Sequence, residues 1–66
     1  MPFVNIRIVE GHSNATKDEI ARRVSAAITE VAKIPRENVW VVFEDVSSDA
    51  WYVGGDSVTR LRQQQE

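Results

Sequence analysis

Hydrophobic positions along the chain fall into distinct spacings, and each spacing predicts an element. Val4, Ile6 and Ile8 alternate with Phe3, Asn5, Arg7 and Val9. A period of two sends successive side chains to opposite faces, so residues 2–9 predict a strand with one strongly apolar face and one mixed face. Glu10-Gly11-His12-Ser13-Asn14 then breaks the alternation with turn residues. From there to about Lys33 the apolar positions are Ile20, Val24, Ala27, Ile28 and Val31. That spacing predicts a helix with one buried stripe, and Lys17, Asp18, Arg22, Arg23 and Glu30 fall mostly outside it. Either Ser13 or Thr16 can cap this helix. Thr16 has Glu19 three residues on, the spacing of a capping box, in which each side chain satisfies the other residue's free amide. Ile34-Pro35 ends the helix, because the residue before a proline is pushed away from helical angles.

A second strand is predicted over Val39-Trp40-Val41-Val42-Phe43-Glu44. Strand, helix and strand in one short chain imply parallel strands joined by a crossover. Residues 47–55 read as a turn and a short hairpin, with Trp51, Tyr52 and Val53 as the strand-like part and Gly54-Gly55 as the bend. The tail from Arg60 to Glu66 carries three consecutive glutamines and is expected to fray. The predicted fold class is therefore α+β: a β-α-β subunit with a parallel two-stranded sheet, one long helix and a short C-terminal hairpin, in a single domain over residues 1–66. One helix covers one face of that sheet and leaves the other open, with Trp40 and Val42 on it. Open sheet edges invite pairing. A second copy can cover the face and extend the sheet, so a homo-oligomer is expected, a dimer at least.

Length points the same way. A chain of 66 residues buries only about 60% of its unfolded surface, and domains of this size recover stability from disulfides, a metal or association. The chain has no cysteine and one histidine, His12, which excludes disulfides, thiolate nucleophiles and thiolate or His-cluster metal sites. No metal and no cofactor are expected, and association is the remaining route. With 42% hydrophobic residues, 27% charged residues and a net charge of −2, the composition is that of an ordinary globular domain. The scattered Lys and Arg give no electrostatic footprint for nucleic acid. No apolar run approaches the ~20 residues of a membrane span. The first residues lack a charged region followed by an apolar one, so a cytoplasmic location is expected.

The order and wording of the segments resemble the 4-oxalocrotonate tautomerase family. The likeness is carried by Pro2 directly after Met1, Val9-Glu10-Gly11-His12-Ser13 after the first strand, and Lys17 in the first helical turn. It continues through Pro35 and the valine-rich second strand to Trp51 and Gly54-Gly55. It spans about residues 2–58. The resemblance implies a tautomerase-like β-α-β subunit assembled as a hexamer built from dimers. It also implies an isomerase whose catalytic residue is Pro2, its nitrogen freed by removal of Met1. The chemistry is consistent with that role. A free amino-terminal proline is a secondary amine fixed at the start of a strand. An α-amino group titrates near about 7.7–8.0, and burial disfavours its charged form. Phe3, Val9, Trp40 and Trp51 are the apolar residues that can supply such burial. A base poised near neutral pH can move a proton next to a carbonyl, an effect worth about 10²–10⁴-fold. A proline here also fits the simpler role of stiffening the start of an edge strand.

Two positions depart from the family pattern. Well-known members carry arginine at the places of His12 and Trp40, where the pair is thought to hold the two carboxylates of a muconate-like substrate. Arginine suits that work because its planar fork binds carboxylate bidentately and stays charged. An imidazole donates a hydrogen bond but is largely neutral near pH 7, and an indole offers one donor and a flat apolar face. Trp51 stands at the place of the family's active-site phenylalanine and suits a pocket wall. The expected substrate-binding residues are thus Val9, His12, Trp40 and Trp51. His12 also fits a surface turn residue, and Trp40 also fits packing between subunits. Arg7 and Arg36 are candidate replacements for the lost cations, and Glu10 and Glu44 are the nearest acids. The expected activity is tautomerisation of a 2-oxo acid or its enol, with an apolar or aromatic monocarboxylate preferred over 2-hydroxymuconate. The alternative is a catalytically weak family member serving as an oligomeric assembly or small-ligand-binding module.

Overall fold

The computed structural model describes residues 2–64. Met1, whose removal the sequence leads one to expect, and residues 65–66 lie outside them. Strand β1 is Phe3–Val9, helix α1 is Asn14–Ala32, and a 3₁₀ turn occupies Arg36–Asn38. Strand β2 is Trp40–Val46, a two-stranded hairpin joins β3 (Tyr52–Val53) to β4 (Asp56–Ser57), and helix α2 is Val58–Gln64. The β-α-β order, the parallel pair and the C-terminal hairpin are those predicted.

β1 and β2 pair in parallel from Phe3↔Trp40 to Val9↔Val46. Two further backbone bonds close the ladder: Trp40 N–H to the Pro2 carbonyl at 3.0 Å, and Glu10 N–H to the Val46 carbonyl at 2.8 Å. β2 runs two residues beyond the predicted Glu44, since Asp45 and Val46 still find partners in Ile8 and Val9. Val4, Ile6, Ile8, Val41 and Phe43 are half-buried, while Phe3, Asn5, Arg7, Trp40, Val42 and Glu44 are exposed. The alternation has put one apolar set towards α1 and left the other facing outward.

α1 begins at Ser13, whose Oγ accepts the Thr16 N–H at 3.2 Å. Thr16 is therefore inside the helix, and the capping box drawn from it does not form. Glu19 instead reaches forward to Arg22 at 3.3 Å and Arg23 at 3.0 Å. The helix ends at Lys33, in the left-handed region with φ 60°, its N–H bonded to the Thr29 carbonyl at 3.1 Å. The predicted stripe needs a correction. Ile20, Val24 and Ile28 are half-buried with Ala21, but Ala27 is exposed and Val31 is 81% exposed. Two strands about 4.8 Å apart are narrower than a helix about 10 Å across, so only the near side of a wide apolar stripe can be covered.

The hairpin turns on Gly54 and Gly55, with φ 61° and 91°. Positive φ at both central residues is the turn whose twist matches paired strands, and glycine adopts it freely. Trp51 precedes β3 rather than joining it. The tail expected to fray from residue 60 is instead helical to Gln64. The Val58 N–H binds the Trp51 carbonyl at 2.8 Å, the Thr59 N–H binds the Ser48 carbonyl at 3.2 Å, and Ser57 Oγ accepts the Arg60 N–H at 3.2 Å. The first two bonds tie the start of α2 to the segment after β2, and the third closes its first turn.

None of the described hydrophobic residues is fully buried. The chain measures 45 × 22 × 16 Å with a radius of gyration of 15.3 Å, where a compact domain of this length has about 11 Å. Its surface is 4997 Å², against roughly 4200 Å² for a compact monomer. Phe3 and Trp40, paired in register on the open sheet face, are 59% and 54% exposed.

The two ends of α1 give opposite predictions. Ser13→Ala removes the cap and should lower stability by about 1 kcal/mol. Lys33→Gly relieves a left-handed backbone and should raise it by up to about 1 kcal/mol. Chemical denaturation of both variants against the parent chain checks the two signs.

Candidate active site

Pro2 lies just before β1 and is half-buried. Its carbonyl accepts the Trp40 N–H at 3.0 Å, so the parallel register sets the start of β2 beside it. Phe3 and Trp40 stand together on the open face. An indole therefore neighbours the strand end from which the Pro2 nitrogen projects. With Met1 attached that nitrogen is a tertiary amide, with neither a proton nor a basic lone pair. Freed, it is a secondary amine with its ring fixing φ.

The other expected residues collect at the opposite end of the strands. Val9 is half-buried opposite Val46. Gly11 turns the chain with φ 117°, and His12 is exposed just before the Ser13 cap. Trp51 is half-buried beyond β2, its carbonyl holding α2. At about 3.3 Å per residue, Val9 is roughly 23 Å from Pro2 along β1. The five expected site residues thus form two groups within one chain: Pro2 with Trp40, and Val9 with His12 and Trp51. Lys17, the family-like residue of the first helical turn, forms an ion pair with Asp45 near the Val9 end, clamping α1 to β2.

A shallow groove of about 500 Å³ opens at that second end, lined by Arg7, Glu44, Val46, Ala50, Trp51 and Tyr52. Arg7 Nη2 lies 3.3 Å from Glu44 Oε2, and Asn5 Nδ2 donates to Glu44 Oε1 at 2.8 Å. Ala50, Tyr52 and the Arg7–Glu44 pair were not assembled into one site from sequence. The signal that would have found the pair is the register, which sets Arg7 opposite Glu44. Both side chains are about half exposed or more, so the pair contributes at most about 1 kcal/mol to stability. Its consequence is local charge beside an aromatic wall. Among the described residues no three His, Asp or Glu side chains converge as metal ligands, and no helix is long and apolar enough to cross a membrane.

This fold is that of the tautomerase class, and comparison with known proteins agrees. The family model for tautomerase enzymes matches residues 2–61. The chain belongs to the tautomerase family. It is 39% identical over 56 residues to a probable tautomerase of Streptococcus agalactiae, covering 85% of this chain and 93% of that one. Among solved structures, TomN, a 4-oxalocrotonate tautomerase homologue of the tomaymycin biosynthetic pathway, superposes with a TM-score of 0.93 at 29% identity. The match covers 98% of this chain and all (100%) of TomN. A heterohexameric 4-oxalocrotonate tautomerase from Chloroflexus aurantiacus gives a TM-score of 0.87 at 35% identity, covering 94% of this chain and 100% of that one.

Proposed function

We propose that the chain is a keto-enol tautomerase acting on a 2-oxo acid, with the free Pro2 nitrogen as general base and a preference for an apolar or aromatic monocarboxylate. The observation that carries the reading is the backbone bond from Trp40 N–H to the Pro2 carbonyl, which brings the start of β2 beside Pro2 and supports a site with Trp40 at the position where well-known relatives have an arginine. In its neutral form the amine takes the enol O–H proton and returns it to carbon, at C3 for a 1,3-shift or C5 for a 1,5-shift. Apolar neighbours favour the neutral amine, because burial disfavours charge. The indole and imidazole N–H groups of Trp40 and His12 are the donors available to the 2-oxo oxygen.

Assembly belongs to the same proposal. Pro2 precedes β1 and Trp51 lies beyond the far end of β2, with strands that rise about 23 Å between those ends, which supports a site built from at least two copies. The open face bearing Phe3 and Trp40, the elongated shape, and a hexameric assembly in the Chloroflexus relative support a homo-hexamer. Light scattering across a micromolar dilution series should give a constant multiple of the chain mass. A folded, dilute monomer would refute the assembly and, with it, the shared site.

Blocking the nitrogen provides the direct test of the base. Chains that retain Met1, verified by intact mass, should not ketonise phenylenolpyruvate, whereas processed chains should. Pro2→Ala leaves a primary amine on a more mobile backbone and should lower kcat without abolishing it. Full activity with Met1 in place would overturn the assignment. No turnover by processed, correctly assembled protein would favour the assembly or ligand-binding module instead.

Substrate choice is tested at His12 and Trp40. Leaving a substrate carboxylate without a charged partner sacrifices hydrogen bonds of about 1.5–3 kcal/mol each, a drop of roughly 10- to 150-fold in kcat/KM. Replacing both residues by arginine should raise kcat/KM for 2-hydroxymuconate and lower it for phenylenolpyruvate. Single and double variants are compared because neighbouring effects need not add, and the oligomer is verified in each. Equal dicarboxylate turnover by the parent and the double variant would show that these positions carry no specificity.

A further inference from the structure

We propose that Arg7 binds the substrate carboxylate, holding a planar aromatic monocarboxylate against Trp51 in the groove and presenting it to the Pro2 amine of another copy. The proposal deepens the tautomerase reading and rests on it for the reaction, though not for the binding. Arg7 is the one cation among the groove's lining residues, and Trp51 and Tyr52 supply the aromatic walls. A guanidinium has five N–H donors. The Glu44 contact is a single one at 3.3 Å, and the Arg7 side chain is 65% exposed. A tight charge-assisted bond is about 2.7–2.9 Å, so Glu44 holds Arg7 loosely and leaves most of its fork open. Glu44 itself is fixed from the other side by Asn5 at 2.8 Å. The carboxylate is therefore the anchored member of the pair and the arginine the one free to turn towards a ligand. A second carboxylate arriving from solvent can engage the fork bidentately.

Distance decides whose amine this ligand meets. Arg7 and Pro2, which lies just before the same strand, are about 16 Å apart along the backbone. The Arg7 side chain reaches across the ladder to Glu44 rather than along it, so a phenyl-substituted 2-oxo acid held there does not present its reacting carbon to that Pro2. The carboxylate held by Arg7 thus belongs to a molecule whose reacting carbon faces the Pro2 of a different copy. Glu44 opposes the binding, because its charge lies beside the incoming anion. The pair acts as a tuned receptor: Arg7 attracts the carboxylate and Glu44 limits the attraction.

Calorimetric titration of the assembled protein with 3-phenylpropanoate and with its uncharged methyl ester tests the proposal. The readout is the ratio of acid to ester affinity, which a purely structural role would not move. In the parent the acid should bind more tightly. Arg7→Gln should lower the ratio about 10- to 100-fold, the loss of a charge-assisted contact. Arg7→Lys should fall between, and Glu44→Gln should raise the ratio. An unchanged ratio in Arg7→Gln would overturn the proposal. If that variant fails to assemble, Glu44→Gln decides alone, and an unchanged ratio there has the same force. Arg7-dependent binding by a processed protein that turns nothing over would uphold this site while refuting the tautomerase reading, so the two failures are distinguishable.

Discussion

Two strands and one helix cannot enclose anything, and most features of this chain follow from that limit. A helix lying on a two-stranded ribbon shields one face of the ribbon and one side of itself. In this chain that shelter half-buries Val4, Ile6, Val41 and Phe43 but buries none of them fully. At about 25 cal/mol per Å² of apolar surface removed from water, partial burial of so few side chains stabilises only weakly. Phe3, Trp40, Val42 and Val31 remain in solvent, and the radius of gyration of 15.3 Å shows how little the hairpin and α2 fold back. The apolar surface that would stabilise a larger domain internally is available here for contact between copies.

The same geometry disperses the expected site residues. A parallel pair places both strand starts at one end and both strand finishes at the other, about 23 Å away along β1. Pro2 and Trp40 are at the starts, and Val9, His12 and Trp51 are at or beyond the finishes. Pro2, the proposed base, is tied to the first end. Residues carried on the β1–α1 turn and the hairpin are tied to the second. In the proposed assembly each chain contributes part of each site, which makes catalysis and assembly one requirement rather than two.

Charge is arranged locally rather than globally. Among the described residues the ion pairs lie at or near the surface: Glu19 with Arg22 and Arg23 along α1, Lys17 with Asp45, Arg7 with Glu44, and Arg60 with Asp56. Exposed pairs contribute little to stability. What distinguishes Arg7–Glu44 is its place beside Trp51 and Tyr52, where a modest charge meets an apolar wall. The neighbourhood of Pro2 is different again, with Phe3 and Trp40 in register beside it. The proposed chemistry thus relies on apolar surroundings for its base and on a distant, partly neutralised cation for its anion.

The sequence by itself determined the elements, because each depends on spacing that the chain carries locally. Alternation over Phe3–Val9, the helical period from Ile20 to Ile28, Pro35 after the helix and Gly54-Gly55 in the turn all produced the predicted elements. Even the open face with Trp40 and Val42 was legible, since a period of two leaves no choice of side. Tertiary contact decided the rest. Ser13 rather than Thr16 became the cap, because both carry suitable hydroxyls and only the path of the chain out of Gly11 selects between them. Val31 was left in solvent, because the width of the sheet, not the helical period, sets how much of an apolar stripe is covered. Residues 58–64 became helical, because Val58 and Thr59 bond back to Trp51 and Ser48, a contact that no local pattern announces. The pairing of Arg7 with Glu44 and the separation of Pro2 from Trp51 both follow from strand register. Register is a relation between segments far apart in the chain, and for that reason it was fixed only when β1 and β2 came together.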